Sequence, residues 1–240
     1  MSYTMTHLVI ADQYIRSQGI AREEAALLLI ASISPDSVHK NKDFTLEMKE
    51  HSHFMPEEIN WGHIYLDQQM EDWYAAIREN YLSRNLDDLN GLERAFLVGY
   101  GIHLLVDVFN CKYFYAPNLC KSGLDVEAFR KEYREQCLDF DHALYRDYKY
   151  TEEIFQKLEQ GLNLLRNHPV LENLNLDKEI NCISIGKMIE SAKMEYEKSS
   201  RTVQPNAHMI TQEGSMRFIE EMGVHCNELF TRNKENSLLR

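Results

Sequence analysis

The stretch Gly99-Tyr-Gly-Ile-His103-Leu-Leu-Val-Asp107-Val-Phe-Asn110 constrains this chain more than any other. It reads as the middle of a long apolar helix that begins near Asp88. His103 and Asp107 are four residues apart, so on a helix they share a face, one turn above the other. An imidazole and a carboxylate on a buried face must pair with each other or bind something, because a lone buried charge is costly. Other elements must therefore pack against that face and meet its polar groups.

The remaining sequence favours helices throughout. Ten Gly and five Pro in 240 residues leave few breaks, and alternating patterns are nearly absent. The expected fold is a single all-α domain over residues 1–240, a bundle of seven or eight helices. Its polar motifs lie in residues 1–145, and a helical part over 151–240 completes the bundle. A net charge of −12 disfavours nucleic acid and anionic lipid as non-specific partners. The five cysteines are odd in number and include no CxxC pair, which reads as reduced thiols in a cytoplasmic protein. No signal peptide is evident at the N-terminus. The apolar run Ala25–Ile33 is too short to span a bilayer.

Taken in order, Thr6 can cap a helix from His7 that stops at Gly19. A second helix from Ala21 is apolar all round in Ala25–Ile33, as a buried helix is, and ends at Ser34-Pro35. Asp36 and His39 then sit in a loop beyond a buried helix end. Residues 40–59 read as an irregular polar loop carrying His51 and His53. A long helix follows from Trp61 to Ser83, with Ile64, Trp73, Ile77 and Tyr81 inward. Asp87–Asp88 caps the central helix. Leu124–Tyr148 is another helix, on which Glu135 and Asp139 share a face. Further helices are expected over Thr151–Arg166, Leu176–Lys198 and Gln212–Phe230.

His, Asp and Glu side chains from separate helices are how bundle proteins build metal sites, and imidazole with carboxylate suits zinc, iron, manganese or nickel. Each residue also has an ordinary reading. His103 and Asp107 could be a self-satisfied pair, Asp36 a turn residue, His39 a solvated loop residue, and Glu135 with Asp139 part of an acidic surface. His51 competes with His53, and Asp141 with His142 competes with Glu135 and Asp139.

Four motifs in order narrow the choice: Thr6-His7-Leu, Ile33-Ser-Pro35-Asp36, Lys49…His51-Ser-His53-Phe54 and Gly99-Tyr-Gly-Ile-His103-Leu-Leu-Val-Asp107. Together they resemble the zinc-dependent phospholipase C family, which shares its all-helical fold with the P1-type nucleases. The resemblance implies that His7, Asp36, His53, His103 and Asp107 are metal-site residues, with Asp107 able to bridge two ions and Asp36 at the water nucleophile. It places Glu135 and Asp139 where another ion would be held. The chain departs from the family in two ways. It lacks the N-terminal Trp whose amine binds a metal, and the segment after Asp107 reads Val-Phe-Asn110-Cys-Lys-Tyr113 where the family has a further His. One or two zinc ions are therefore expected rather than three. The expected activity is metal-dependent hydrolysis of a small-molecule or lipid phosphoester; the rival is a non-catalytic, metal-stabilised module of the same fold.

Overall fold

The computed structural model describes residues 4–60, 63–176, 178 and 180–237. The described residues form eleven α-helices and no strand. At the centre is α2 (Arg22–Ala31), whose residues Ala25–Ala31 are all buried. It packs chiefly against α5 (Gly91–Asn110) and α8 (Thr151–Asn167). Two glycines permit that closeness. A Cβ on Gly99 would lie 2.1 Å from the Leu28 carbonyl oxygen, and one on Gly161 would lie 2.5 Å from that of Ala26. Both neighbours are backbone atoms on α2 and cannot swing aside.

The first helix, α1 (Thr4–Gln18), lies against α11 (Gln212–Ser237) and α7 (Val126–Asp147). Its described residues are helical from Thr4 on, so Thr6 lies inside it and is not its cap. Asp141 of α7 performs that task across the fold: its carboxylate accepts the amides of Met5 (2.9 Å) and Thr6 (2.8 Å) and the Thr6 hydroxyl (3.0 Å). Gly19 ends the helix at φ 60°, as expected.

The helix count exceeds the expected seven or eight because several segments divide differently. The segment after Ala31 is a 3-10 helix, Ser34–Lys40, with Pro35 in its first turn, rather than an open loop. Residues 40–59 contain α3 (Leu46–Ser52), whose N-cap Thr45 accepts the Met48 amide. In the next helical segment, α4 (Asp67–Ile77) runs on through a π turn, Arg78–Leu82; Ile64, Trp73, Ile77 and Tyr81 are buried as expected, whereas Trp61 lies outside the described residues. Asn90, not Asp87–Asp88, caps α5: its side chain accepts the Leu92 and Glu93 amides, and Glu93 returns a bond to the Asn90 amide.

The helical run does not end with α5. It continues through a π turn, Cys111–Tyr115, into α6 (Ala116–Ser122), which ends at the left-handed Gly123. The short α9 (Val170–Asn173) and α10 (Cys182–Lys198) complete the chain order between α8 and α11. No described helix is long and apolar enough to cross a membrane.

Candidate metal centre

Four elements deliver polar side chains to one point. Helix α1 brings His7, the Ser34–Lys40 turn brings Asp36, α3 and its C-cap bring Lys49 and His53, and α5 brings His103 and Asp107. His53, His103 and Asp107 are fully buried, and His7 is 1% exposed. The Asp36 side chain is 19% exposed and that of His39 41%, so the cluster meets solvent on the side of the 3-10 turn.

The end of α3 is pinned so that His53 faces inward. The Trp73 indole donates to the His53 carbonyl (2.8 Å), Tyr100 donates to the Ser52 carbonyl (2.6 Å), and the Ser52 hydroxyl donates to the Pro35 carbonyl (3.0 Å). Phe54 then adopts φ 53°, which ends the helix and turns the chain away. Its ring packs against Tyr81 and Tyr100.

Backbone carbonyls fix the tautomers of two imidazoles. His103 Nδ1 lies 2.8 Å from the Ser32 oxygen, and His53 Nδ1 lies 2.8 Å from the Lys49 oxygen. A carbonyl only accepts, so each Nδ1 carries a proton and donates it. Burial, the largest influence on both rings, holds their pKa values below the ordinary histidine value and keeps them neutral. Their Nε2 atoms then present lone pairs, and those two atoms are 3.2 Å apart.

Both carboxylates join this pair. His53 Nε2 lies 3.4 Å from Asp36 Oδ1 and 3.6 Å from Asp107 Oδ2; His103 Nε2 lies 3.9 Å from the same Asp107 oxygen. The other Asp107 oxygen, Oδ1, is 3.5 Å from His7 Nε2, and the His7 ring stacks on His103 at 3.9 Å. Burial would raise both carboxyls. The Lys49 ammonium overcomes it at Asp36. At Asp107 the hydrogen bond from His7 does the same. Each carboxyl is held well below the usual range and is ionised.

A set of lone pairs and anions converging in an apolar interior can hold a cation. The spacing suits one: ligand atoms bonded at 2.0–2.1 Å around a tetrahedral ion are ~3.4 Å apart. Two groups could hold an ion, Asp36 with His53 and His103, and His7 with His103 and Asp107; within each, the ligand atoms lie within 4.8 Å of one another. The buried carbonyl contacts that orient the imidazoles are what metal-ligating histidines ordinarily have.

Comparison with models of known protein families, with curated proteins and with solved structures returns no match.

Five of the seven residues singled out by sequence therefore meet: His7, Asp36, His53, His103 and Asp107. Glu135 and Asp139 do not join them. They do share a face of α7, but that face holds Arg201, at 2.8 and 3.1 Å. Its guanidinium offsets one of their two negative charges. From α7, Tyr133 instead reaches the end of α5, donating to Asn110 Oδ1 at 2.9 Å. Tyr113 stacks on Phe109 with more than half its surface exposed. His51 is exposed beside Glu47, which leaves the inward position to His53.

Sequence reasoning assigned no task to Lys49. It is 8% exposed, and its Nζ lies 2.9 Å from Asp36 Oδ1 and 3.1 Å from His39 Nε2. A signal existed, since Lys49 and His53 are four residues apart and share a helical face. The missed role of Asp141 as a cap across 136 residues had no local signal.

Proposed function

We propose that this protein is a metal-dependent hydrolase of a phosphoester, of the phospholipase C/P1 nuclease type. The observation that carries the reading is the 3.2 Å approach of His53 Nε2 to His103 Nε2, both with their protons committed to Nδ1, between two ionised carboxylates. The ordered motifs supply the reaction class, and the nitrogen and oxygen donor set favours zinc or a similar divalent ion. Asp36, His53 and His103 would hold an ion, and His7, His103 and Asp107 form the alternative group.

When bound, such an ion supplies Lewis acidity, lowering the pKa of water toward ~7 and polarising a phosphoryl oxygen. The chain's own groups do the rest. The Ser32 and Lys49 carbonyls hold the imidazoles in one tautomer and one orientation. Asp36 is ionised and stands at the solvent-facing edge, where its carboxylate can accept a hydrogen bond from the attacking water and orient it. Asp107, with no exposed surface, keeps its charge fixed in a dry environment, where it acts strongly.

A second reading, a structural metal centre without turnover, is favoured by the depth of His7, His53, His103 and Asp107, all at 0–1% exposure. One set of measurements separates them. Elemental analysis of the purified protein is expected to find a divalent metal, most of it lost in Asp107→Ala. Hydrolysis of model phosphomonoesters and phosphodiesters is expected to depend on that metal and to vanish in Asp36→Asn. Metal without turnover selects the structural centre, and unchanged metal content in Asp107→Ala refutes both readings.

A further inference from the structure

We propose that Lys49 is the anion-binding residue of this site: its ammonium contacts a non-bridging oxygen of a tetrahedral phosphoryl group at the mouth of the cluster. The inference deepens the reading above and rests on it.

Lysine is seldom buried, because its ammonium is strongly hydrated. Here the stem is enclosed, and Nζ is held between Asp36 Oδ1 (2.9 Å) and His39 Nε2 (3.1 Å). These two partners carry the exposed surface of the cluster, with side chains 19% and 41% accessible. The ammonium therefore lies beside the two accessible side chains of the cluster. A ligand that reaches Asp36 and His39 comes within reach of the Lys49 ammonium.

Charge points to the kind of ligand. Asp36 and Asp107 against Lys49 leave the cluster one charge negative. A divalent cation there would turn it one charge positive, within a chain of net charge −12. The result is a small positive site, suited to an anion, in a protein that repels anions elsewhere. Were Lys49 present only to neutralise Asp36, a bound cation would make it redundant, and two cations would crowd one carboxylate. A phosphoryl oxygen next to the ammonium relieves that crowding. The same turn of α3 thus has two tasks, since the Lys49 carbonyl also orients His53.

The test uses the full chain loaded with zinc. Inorganic phosphate and, separately, dimethyl phosphate are titrated calorimetrically into wild type, Lys49→Met and Lys49→Arg, and zinc per chain is measured for each. The expected result is that phosphate affinity falls by about tenfold or more in Lys49→Met and is largely kept in Lys49→Arg, with zinc content unchanged. Should Lys49→Met fail to fold by circular dichroism, Lys49→Gln keeps donors toward Asp36 and His39 without the charge, and the same loss is expected. Tighter binding of inorganic phosphate supports a monoester dianion as the ligand, and tighter binding of dimethyl phosphate a diester. Wild-type affinity in the uncharged variants overturns the proposal. So does zinc loss in parallel with phosphate loss, since Lys49 would then only position Asp36. Zinc binding without phosphate binding in wild type overturns this proposal alone; a chain that binds no zinc overturns both it and the reading beneath it.

Discussion

Gly99→Ala should be among the most damaging single-methyl additions to this protein. The new Cβ would stand 2.1 Å from the Leu28 carbonyl oxygen and 2.9 Å from the Ala31 Cβ, both on the central helix. The first separation falls about 1.3 Å short of ordinary contact, and the obstacle is backbone, so α5 must move away from α2 as a unit. Overpacking of this kind costs about 3 kcal/mol. The shift also stretches the 2.8 Å bond from His103 Nδ1 to the Ser32 carbonyl, losing about 1 kcal/mol more. Alanine returns about 1 kcal/mol of helix propensity, leaving a net loss of about 3 kcal/mol. For a chain of this size that is a fall in Tm of ~6–12 °C. Urea and thermal denaturation of the metal-free protein measure it. Gly186→Ala is the control: it lies in α10, where a Cβ would meet only the ends of the Leu162 and Arg166 side chains, at 3.3 and 3.9 Å. That variant should be as stable as wild type or slightly more so. Equal stabilities for the two variants would refute the close-approach argument. Metal affinity should also fall in Gly99→Ala, since His103 loses its orienting carbonyl.

Asp141→Ala removes the acceptor of two buried amides, the Thr6 hydroxyl and the Tyr196 hydroxyl, and should cost about 3 kcal/mol in urea denaturation; a loss below about 0.5 kcal/mol would show that α1 does not need the cap. His39 has its pKa pushed down to about 4 by burial first and by the Lys49 charge second. Its folded value is below the unfolded one, so its contribution to stability is complete above about pH 6.5 and is lost as pH falls toward 4. Nuclear magnetic resonance titration of the metal-free protein should find the His39 ring still neutral at pH 5.5, and an ordinary midpoint near 6.5 would contradict the geometry around Lys49.

The sequence by itself determined the fold class and the polar constellation. Scarce glycine and proline with helical periodicity made the chain all-helical, because hydrogen bonds between residues four apart are local. The same locality made His103 with Asp107 legible as a pair. Their companions His7, Asp36 and His53 were found through ordered motifs, not spacing, since no local rule links residues on different helices. Tertiary structure decided what locality cannot reach. The face shared by Glu135 and Asp139 was read correctly, but its partner Arg201 lies more than 60 positions away in sequence and fills it. Thr6 has the chemistry of a cap, yet Asp141 is placed better by the packing of α7 on α1. Lys49 had no assigned task until the 3-10 turn carrying Asp36 and His39 packed against it. The opening helix, with its His103 and Asp107, became a candidate metal centre only where α1, α3 and that turn converged on its face. Burial then brought imidazoles and carboxylates within reach of one another, as a group that could hold an ion.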